Sequence, residues 1–128
     1  MIIAPKPSPQ RMDTNDVAAL LSQLDAASNE LAALTEPLAK ARAIREYDSD
    51  RRKRALALKV REFLAGGDSA AAAETKGRAS VAYGEELDQL QQDLASAERT
   101  IADHEAARVK WETVRSALSA LKAISGNL

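Results

Sequence analysis

The chain has 128 residues, with 18 Lys and Arg against 19 Asp and Glu, one His, no Cys and four aromatic residues, Tyr47, Phe63, Tyr83 and Trp111. Hydrophobic residues make up 45% of it, but alanine supplies much of that, which favours thin helix-on-helix seams over a thick globular core and argues against a compact monomer. The absence of Cys excludes disulfides and thiolate metal sites, and the longest uncharged run, Val17 to Leu24, falls far short of the ~18–20 residues that span a bilayer.

Residues 1–12 read as an extended, mobile arm, because Pro5, Pro7 and Pro9 cannot support a helix. The arm lacks the continuous apolar region of a secretory signal, so the expected location is cytoplasmic. Structure is expected from Asp13, where Asp13-Thr14-Asn15-Asp16 offers side chains that cap a helix N-terminus. The apolar series Leu20, Leu24, Ala27, Leu31, Leu34 follows at steps of three and four. Thr35-Glu36-Pro37 predicts a kink or short break. Leu38 and Ala41 extend the seam. Residues 42–55 then turn strongly charged before Leu56, Val60, Phe63 and Leu64 restore an apolar face, and Gly66-Gly67 ends the helix.

Asp68 or Ser69 is a candidate cap for the next segment, whose Ala70–Ala73 run forms helix readily but packs little. Gly77 and Gly84 each cost about 1 kcal/mol relative to Ala in a helix, so residues 68–84 are expected to be bent or frayed. From Glu85 a heptad seam runs through Leu87, Leu90, Leu94, Ala97, Ile101 and His104. The spacing then skips to a bulkier seam of Trp111, Val114, Leu118 and Leu121, closed by Gly126. The expected fold is all-α. A single helical domain over 13–128 holds N-terminal helices (13–65), a junction (66–84) and a C-terminal helix (85–125) of about 40 residues, or roughly 60 Å at 1.5 Å per residue. A hairpin of such coiled-coil-like helices leaves apolar edges open and predicts a homo-oligomer. Trp111, Val114, Leu118 and Leu121 are the candidate interface, with Ser116, Ala117, Ser119 and Ala120 permitting close approach.

The charge is unevenly placed. From Lys40 to Arg61 nine basic residues stand against three acidic ones, leaving the remainder of the chain with nine basic and sixteen acidic residues. Such a band concentrates anion attraction, as a phosphate-backbone contact requires. At 100° per residue Arg45, Arg52 and Lys59 form one row of a helix, with Arg54 and Arg61 nearly opposite, so one straight polyanion cannot touch both. The same band also fits a solvated face, with stems laid on apolar surface, or pairing with an acidic helix such as that carrying Glu85, Glu86, Asp88 and Asp93. With only Tyr47 and Phe63 nearby, and Phe63 on the apolar face, bound strands would be held by backbone electrostatics rather than base stacking.

Catalytic constellations are not found. His104-Glu105-Ala106-Ala107-Arg108 begins like a zinc-protease helix, but Arg108 stands where a second His is needed. Gly66-Gly67 and Thr75-Lys76-Gly77 lack the order of a phosphate loop, and Glu85-Glu86 has no predicted cleft. An enzyme is not expected, nor any metal or cofactor.

The order of these features resembles the UvsY-type recombination mediators of tailed bacteriophages. Arg51-Arg52-Lys53-Arg54 leads into Ala55-Leu56-Ala57-Leu58-Lys59-Val60-Arg61-Glu62-Phe63-Leu64-Ala65-Gly66-Gly67-Asp68, then a junction ending near Tyr83, then a helix finishing Ala117-Leu118-Ser119-Ala120-Leu121-Lys122. Leu58-Lys59-Val60-Arg61 matches the Leu-Lys-x-Arg segment of the family's single-stranded-DNA-binding region, and the likeness spans roughly residues 40–124. It implies a helical homo-oligomeric ring that binds single-stranded DNA and helps load a RecA-like recombinase while single-strand-binding protein is displaced. Lys59 and Arg61 are the implied DNA contacts, with Arg45, Arg51, Arg52, Lys53 and Arg54 as neighbours. The chain departs from the family in its longer Pro-rich arm, its few aromatics and its Phe63-Leu64 pair. The competing expectation is a coiled-coil structural or regulatory protein, such as a phage assembly factor or an inhibitor of a host protein, that does not bind nucleic acid.

Overall fold

A computed structural model describes residues 14–126. Among them are three helices and no strand: α1 (Thr14–Ala65), α2 (Ala70–Ala79) and α3 (Val81–Gly126). The fold is all-α. The predicted arm, residues 1–12, lies outside the described residues. The contacts gather into two units, one of residues up to Leu34 together with those from His104 onward, the other Thr35–Asp103.

The predicted interruption at Pro37 does not end the helix, since α1 runs unbroken from Thr14 to Ala65. An interior proline removes one backbone hydrogen bond and costs about 3 kcal/mol. Here Pro37 is exposed, while the neighbouring Leu38 and Ala41 are buried, so the seam stays packed through this turn. The charged stretch 42–55 keeps the same period. Half-buried or buried positions continue through Ile44, Asp48, Arg52 and Ala55, so the seam persists with polar side chains in it. Leu64, expected on the apolar face, is exposed.

Two joints position α2. Gly67 adopts φ +100°, and Asp68 N–H donates to the Phe63 carbonyl at 3.1 Å while Gly67 N–H donates to that of Leu64 at 3.1 Å, so the last carbonyls of α1 are satisfied by a left-handed glycine stop. Ser69 then caps α2, its Oγ accepting from Ala72 N–H at 3.3 Å. Ser80 alone separates α2 from α3. Its N–H donates to the Gly77 carbonyl and its Oγ accepts from Tyr83 N–H at 3.2 Å, so one residue stops one helix and starts the next. Of the bending or fraying expected of 68–84, the chain shows an interruption at Ser80 and no fraying: α2 is regular, and α3 begins four residues before Glu85. Gly77 marks where α2 packs on α1. It is buried, and a Cβ there would stand 3.4 Å from Val60 Cγ2, 3.5 Å from Val60 N and 3.7 Å from Leu56 Cδ1, in ordinary van der Waals contact, so the position lies directly against α1 with room for a methyl group.

Within the second unit α1 and α3 run antiparallel. Arg45 meets Glu98 and Arg52 meets Gln91, seven residues forward on one helix matching seven back on the other. The most deeply buried positions along these seams are alanines, Ala41, Ala55 and Ala97, with Ala27 and Ala107 in the first unit. Leucines such as Leu20, Leu31, Leu56 and Leu94 are only half-buried beside them. The skip predicted after His104 is absent as well, because Ala107, 2% exposed, carries the seam from His104 to Trp111. In the sequence so small a residue reads as a gap.

Candidate nucleic-acid interface

The basic residues of α1 separate into an engaged group and an open group. On the side facing α3, Arg45 Nη1 lies 3.8 Å from Glu98 Oε2 and Arg51 Nη2 lies 3.3 Å from Asp93 Oδ2. Arg52 is drawn further in than either. Its Nε donates to Asp48 Oδ2 at 2.9 Å and its Nη2 to Gln91 Oε1 at 3.0 Å, with both charged side chains largely covered. Lys59, one turn from the α2 contact, keeps only 20% of its side chain exposed and donates to both oxygens of Glu62, at 3.2 and 3.4 Å. These pairs are partly wet, and each contributes about 0–1 kcal/mol at most. Their consequence is geometric: four of the expected contacts already have carboxylate neighbours.

Lys53, Arg54 and Arg61 are exposed and make no ion pair among the described residues. Arg42, in the predicted band but not among the predicted contacts, is likewise exposed and unpaired there. Arg54 and Arg61 flank a shallow hollow floored by Ala57 and Leu58, of about 250 Å³. Of the two residues matched to the UvsY-type segment, Arg61 is therefore open and Lys59 is tied to Glu62. For Arg45, Arg51 and Arg52 the division follows from helical azimuth, which the sequence gives, combined with the antiparallel register of α3, which it does not; Lys59 is engaged within α1 itself, by Glu62 three residues on.

No protein-family model, curated protein or solved structure matches the chain.

The predicted interface residues of α3 sit in the first unit and are partly spent inside it. Val114 is buried within that unit, and Trp111 donates its Nε1–H to Ser28 Oγ at 3.0 Å. The Arg115 guanidinium lies over the Trp111 ring, 5.3 Å from its centre, a cation–π contact. Leu118 and Leu121 remain half-buried. Val114 is thus an intramolecular seam residue, because α1 supplies a covering helix that the sequence did not align with it. Leu21 lies one heptad before Ser28 and is 53% exposed, so an apolar edge continues there. Further along, Arg108 bonds Glu105 and Glu112 on the same helix face, and this guanidinium holds the Glu105 carboxyl below the usual carboxylate range. Among the described residues no group of three His, Cys, Asp or Glu is placed to hold a metal ion, and no helix is long and apolar enough to cross a membrane.

Proposed function

We propose that this chain is a non-enzymatic mediator of DNA recombination that holds single-stranded DNA on the outer face of α1 and, as the UvsY-type resemblance implies, helps a RecA-like recombinase load while single-strand-binding protein is displaced. It would work as a homo-oligomer, self-associating along the apolar edge that includes Trp111, Leu118 and Leu121. The observation that carries the reading is the cluster of exposed cations, Lys53, Arg54 and Arg61, that no carboxylate among the described residues answers. Such charges release counterions when phosphates replace water around them, whereas cations already paired gain less. The bound strand therefore follows the outer row and not the Arg45–Arg52–Lys59 row.

The test is binding of oligothymidylate followed by fluorescence anisotropy across a salt series. The triple variant Lys53→Ala/Arg54→Ala/Arg61→Ala is expected to bind more weakly, with a salt slope smaller by about 2, from about 0.7 per phosphate contact on a single strand. Arg45→Ala/Arg51→Ala, whose side chains face Glu98 and Asp93, should change the slope by less than one contact. A triple variant that binds like the parent sinks the reading.

The alternative, a structural or regulatory helical protein without nucleic-acid binding, is favoured by one observation: the Arg45–Glu98 and Arg51–Asp93 pairs use part of the basic band for intramolecular contact. It predicts no oligothymidylate binding by the parent chain at near-physiological salt.

A further inference from the structure

Of the four aromatic residues, Phe63, Tyr83 and Trp111 are half-buried and Tyr47 alone is exposed, at 53%. Its place on α1 gives that exposure a meaning. At 100° per residue Tyr47, Arg54, Leu58 and Arg61 fall within an arc of about 60° on the outer face of the helix, and Leu58 is 45% exposed. Tyr47, Arg54 and Arg61 are spaced by heptads, so they follow one another at about 10 Å along the axis. The row alternates apolar and cationic side chains, and all four belong to the second unit.

The Tyr47 ring is free to take a ligand. Among the described residues the cation–π contact is that of Arg115 on Trp111, and the Tyr47 hydroxyl makes no hydrogen bond. On the helix the cation within reach of the ring is Arg51, one turn on, but its Nη2 is drawn to Asp93 Oδ2 at 3.3 Å. The carboxylates that border the row are Glu46 and Asp50 on one flank and Glu62 on the other. Glu62 is engaged by Lys59, and neither Glu46 nor Asp50 pairs with Arg54 or Arg61 among the described residues.

We infer that Tyr47 stacks on a base of the single strand whose phosphates lie against Arg54 and Arg61, with Leu58 packing on a second base between those two cations. The inference rests on the proposed function and adds a contact that phosphates alone do not supply. Every nucleobase presents a π-face, so an exposed ring in a cationic row takes bases of any sequence. A duplex keeps its bases stacked on one another and offers neither Tyr47 nor Leu58 a face. From sequence, with few aromatics near the basic band, backbone electrostatics alone are expected; the exposure of Tyr47 in the row of Arg54 and Arg61 alters that.

The experiment follows the anisotropy of two labelled probes of equal length and charge on the full chain, oligothymidylate and an abasic deoxyribose-phosphate oligomer. The parent should bind the abasic probe about fivefold or more weakly, with the same salt slope, since the phosphates are unchanged. Tyr47→Ala should weaken oligothymidylate by about fivefold or more and leave the abasic probe within about twofold, whereas Tyr47→Phe, which keeps the ring, should bind both probes as the parent does. Leu58→Ser should show the same selectivity with a smaller loss. Circular dichroism and light scattering check that each variant keeps its helicity and molar mass. Equal binding of the two probes by the parent, oligothymidylate binding unmoved by Tyr47→Ala, or a Tyr47→Phe loss as large as that of Tyr47→Ala each overturns the inference. Dissociation of an assembly by Tyr47→Ala also overturns it, since the ring would then lie against a second copy of this chain. Those outcomes leave the weakening by Lys53→Ala/Arg54→Ala/Arg61→Ala in force, whereas a parent that binds neither probe overturns the proposed function as well.

Discussion

Replacing Arg52 by leucine tests whether the polar layer in the α1–α3 seam acts as a unit. Arg52 Nε donates to Asp48 Oδ2 at 2.9 Å, its Nη2 bonds Gln91 at 3.0 Å, and Asp48 Oδ1 is buried without a hydrogen-bond partner. Asp48 therefore depends on Arg52 for its side-chain ion pair. The side chains of Asp48 and Arg52 keep 18% and 33% of their exposure. The 3–5 kcal/mol that follows from breaking a fully buried pair must be reduced accordingly, to about 1–2 kcal/mol for Arg52→Leu. Asp48→Leu removes the buried carboxylate and leaves Arg52 its bond to Gln91, so it should cost less. The double variant restores an apolar seam continuous with Ile44 and Ala55 and should be as stable as the parent or more so. Urea denaturation of all four proteins measures the coupling. With an m value of about 2 kcal/mol/M, Arg52→Leu should lower the midpoint by about 0.5–1 M, and Asp48→Leu added to it should recover the loss. A neutral Arg52→Leu, or a double variant less stable than either single one, refutes the reasoning.

The two glycines of the α2–α3 region separate backbone freedom from packing. A Cβ at Gly84 would meet nothing within 4 Å, so Gly84→Ala should raise stability by about 0.5–1 kcal/mol and Gly84→Leu should not lower it below the parent, whereas Gly77→Leu would drive a side chain into Val60 and cost about 1–3 kcal/mol. Thermal melts that rank the two leucine variants alike would contradict this. The Glu105 carboxyl is depressed chiefly by its hydrogen bond from Arg108, so the stabilisation it carries is present above its unfolded-state pKa and is lost as pH falls through its lowered folded value. Carboxyl ¹³C titration of Arg108→Ala should show Glu105 titrating at higher pH than in the parent, and an unmoved midpoint would rule out the guanidinium as the cause.

The helices were legible where apolar residues mark the seam. Leu20 to Leu34 and Leu87 to Ile101 announce α1 and α3, and Gly66-Gly67 and Ser69 mark the turn between α1 and α2. What could not be read were places where the seam is filled by residues that do not look apolar or large. Asp48 and Arg52 hide it through the charged stretch, since a period counted on hydrophobic residues fails where two opposite charges occupy the seam together. Ala107 hides it again, because a short side chain at a close approach gives a weak signal. Gly77 misleads for a related reason: propensity counts a missing Cβ as a cost and cannot register that the position is buried against Val60 and Leu56. At the candidate interface, helical azimuth alone separated Arg54 and Arg61 from Arg45, Arg52 and Lys59. Which row α3 would occupy depended on the antiparallel register, and that is set by long-range pairing.

Ser80 carries a consequence for how this chain can change length. Because it alone joins α2 to α3, adding or deleting one residue within α2 would turn one end of that helix by about 100° relative to the other, swinging Lys76 or Arg78 toward Val60 in place of Gly77 or misplacing the cap. With only four residues at the other joint there is no slack to absorb such a rotation, so this short helix can drift in composition far more easily than in span.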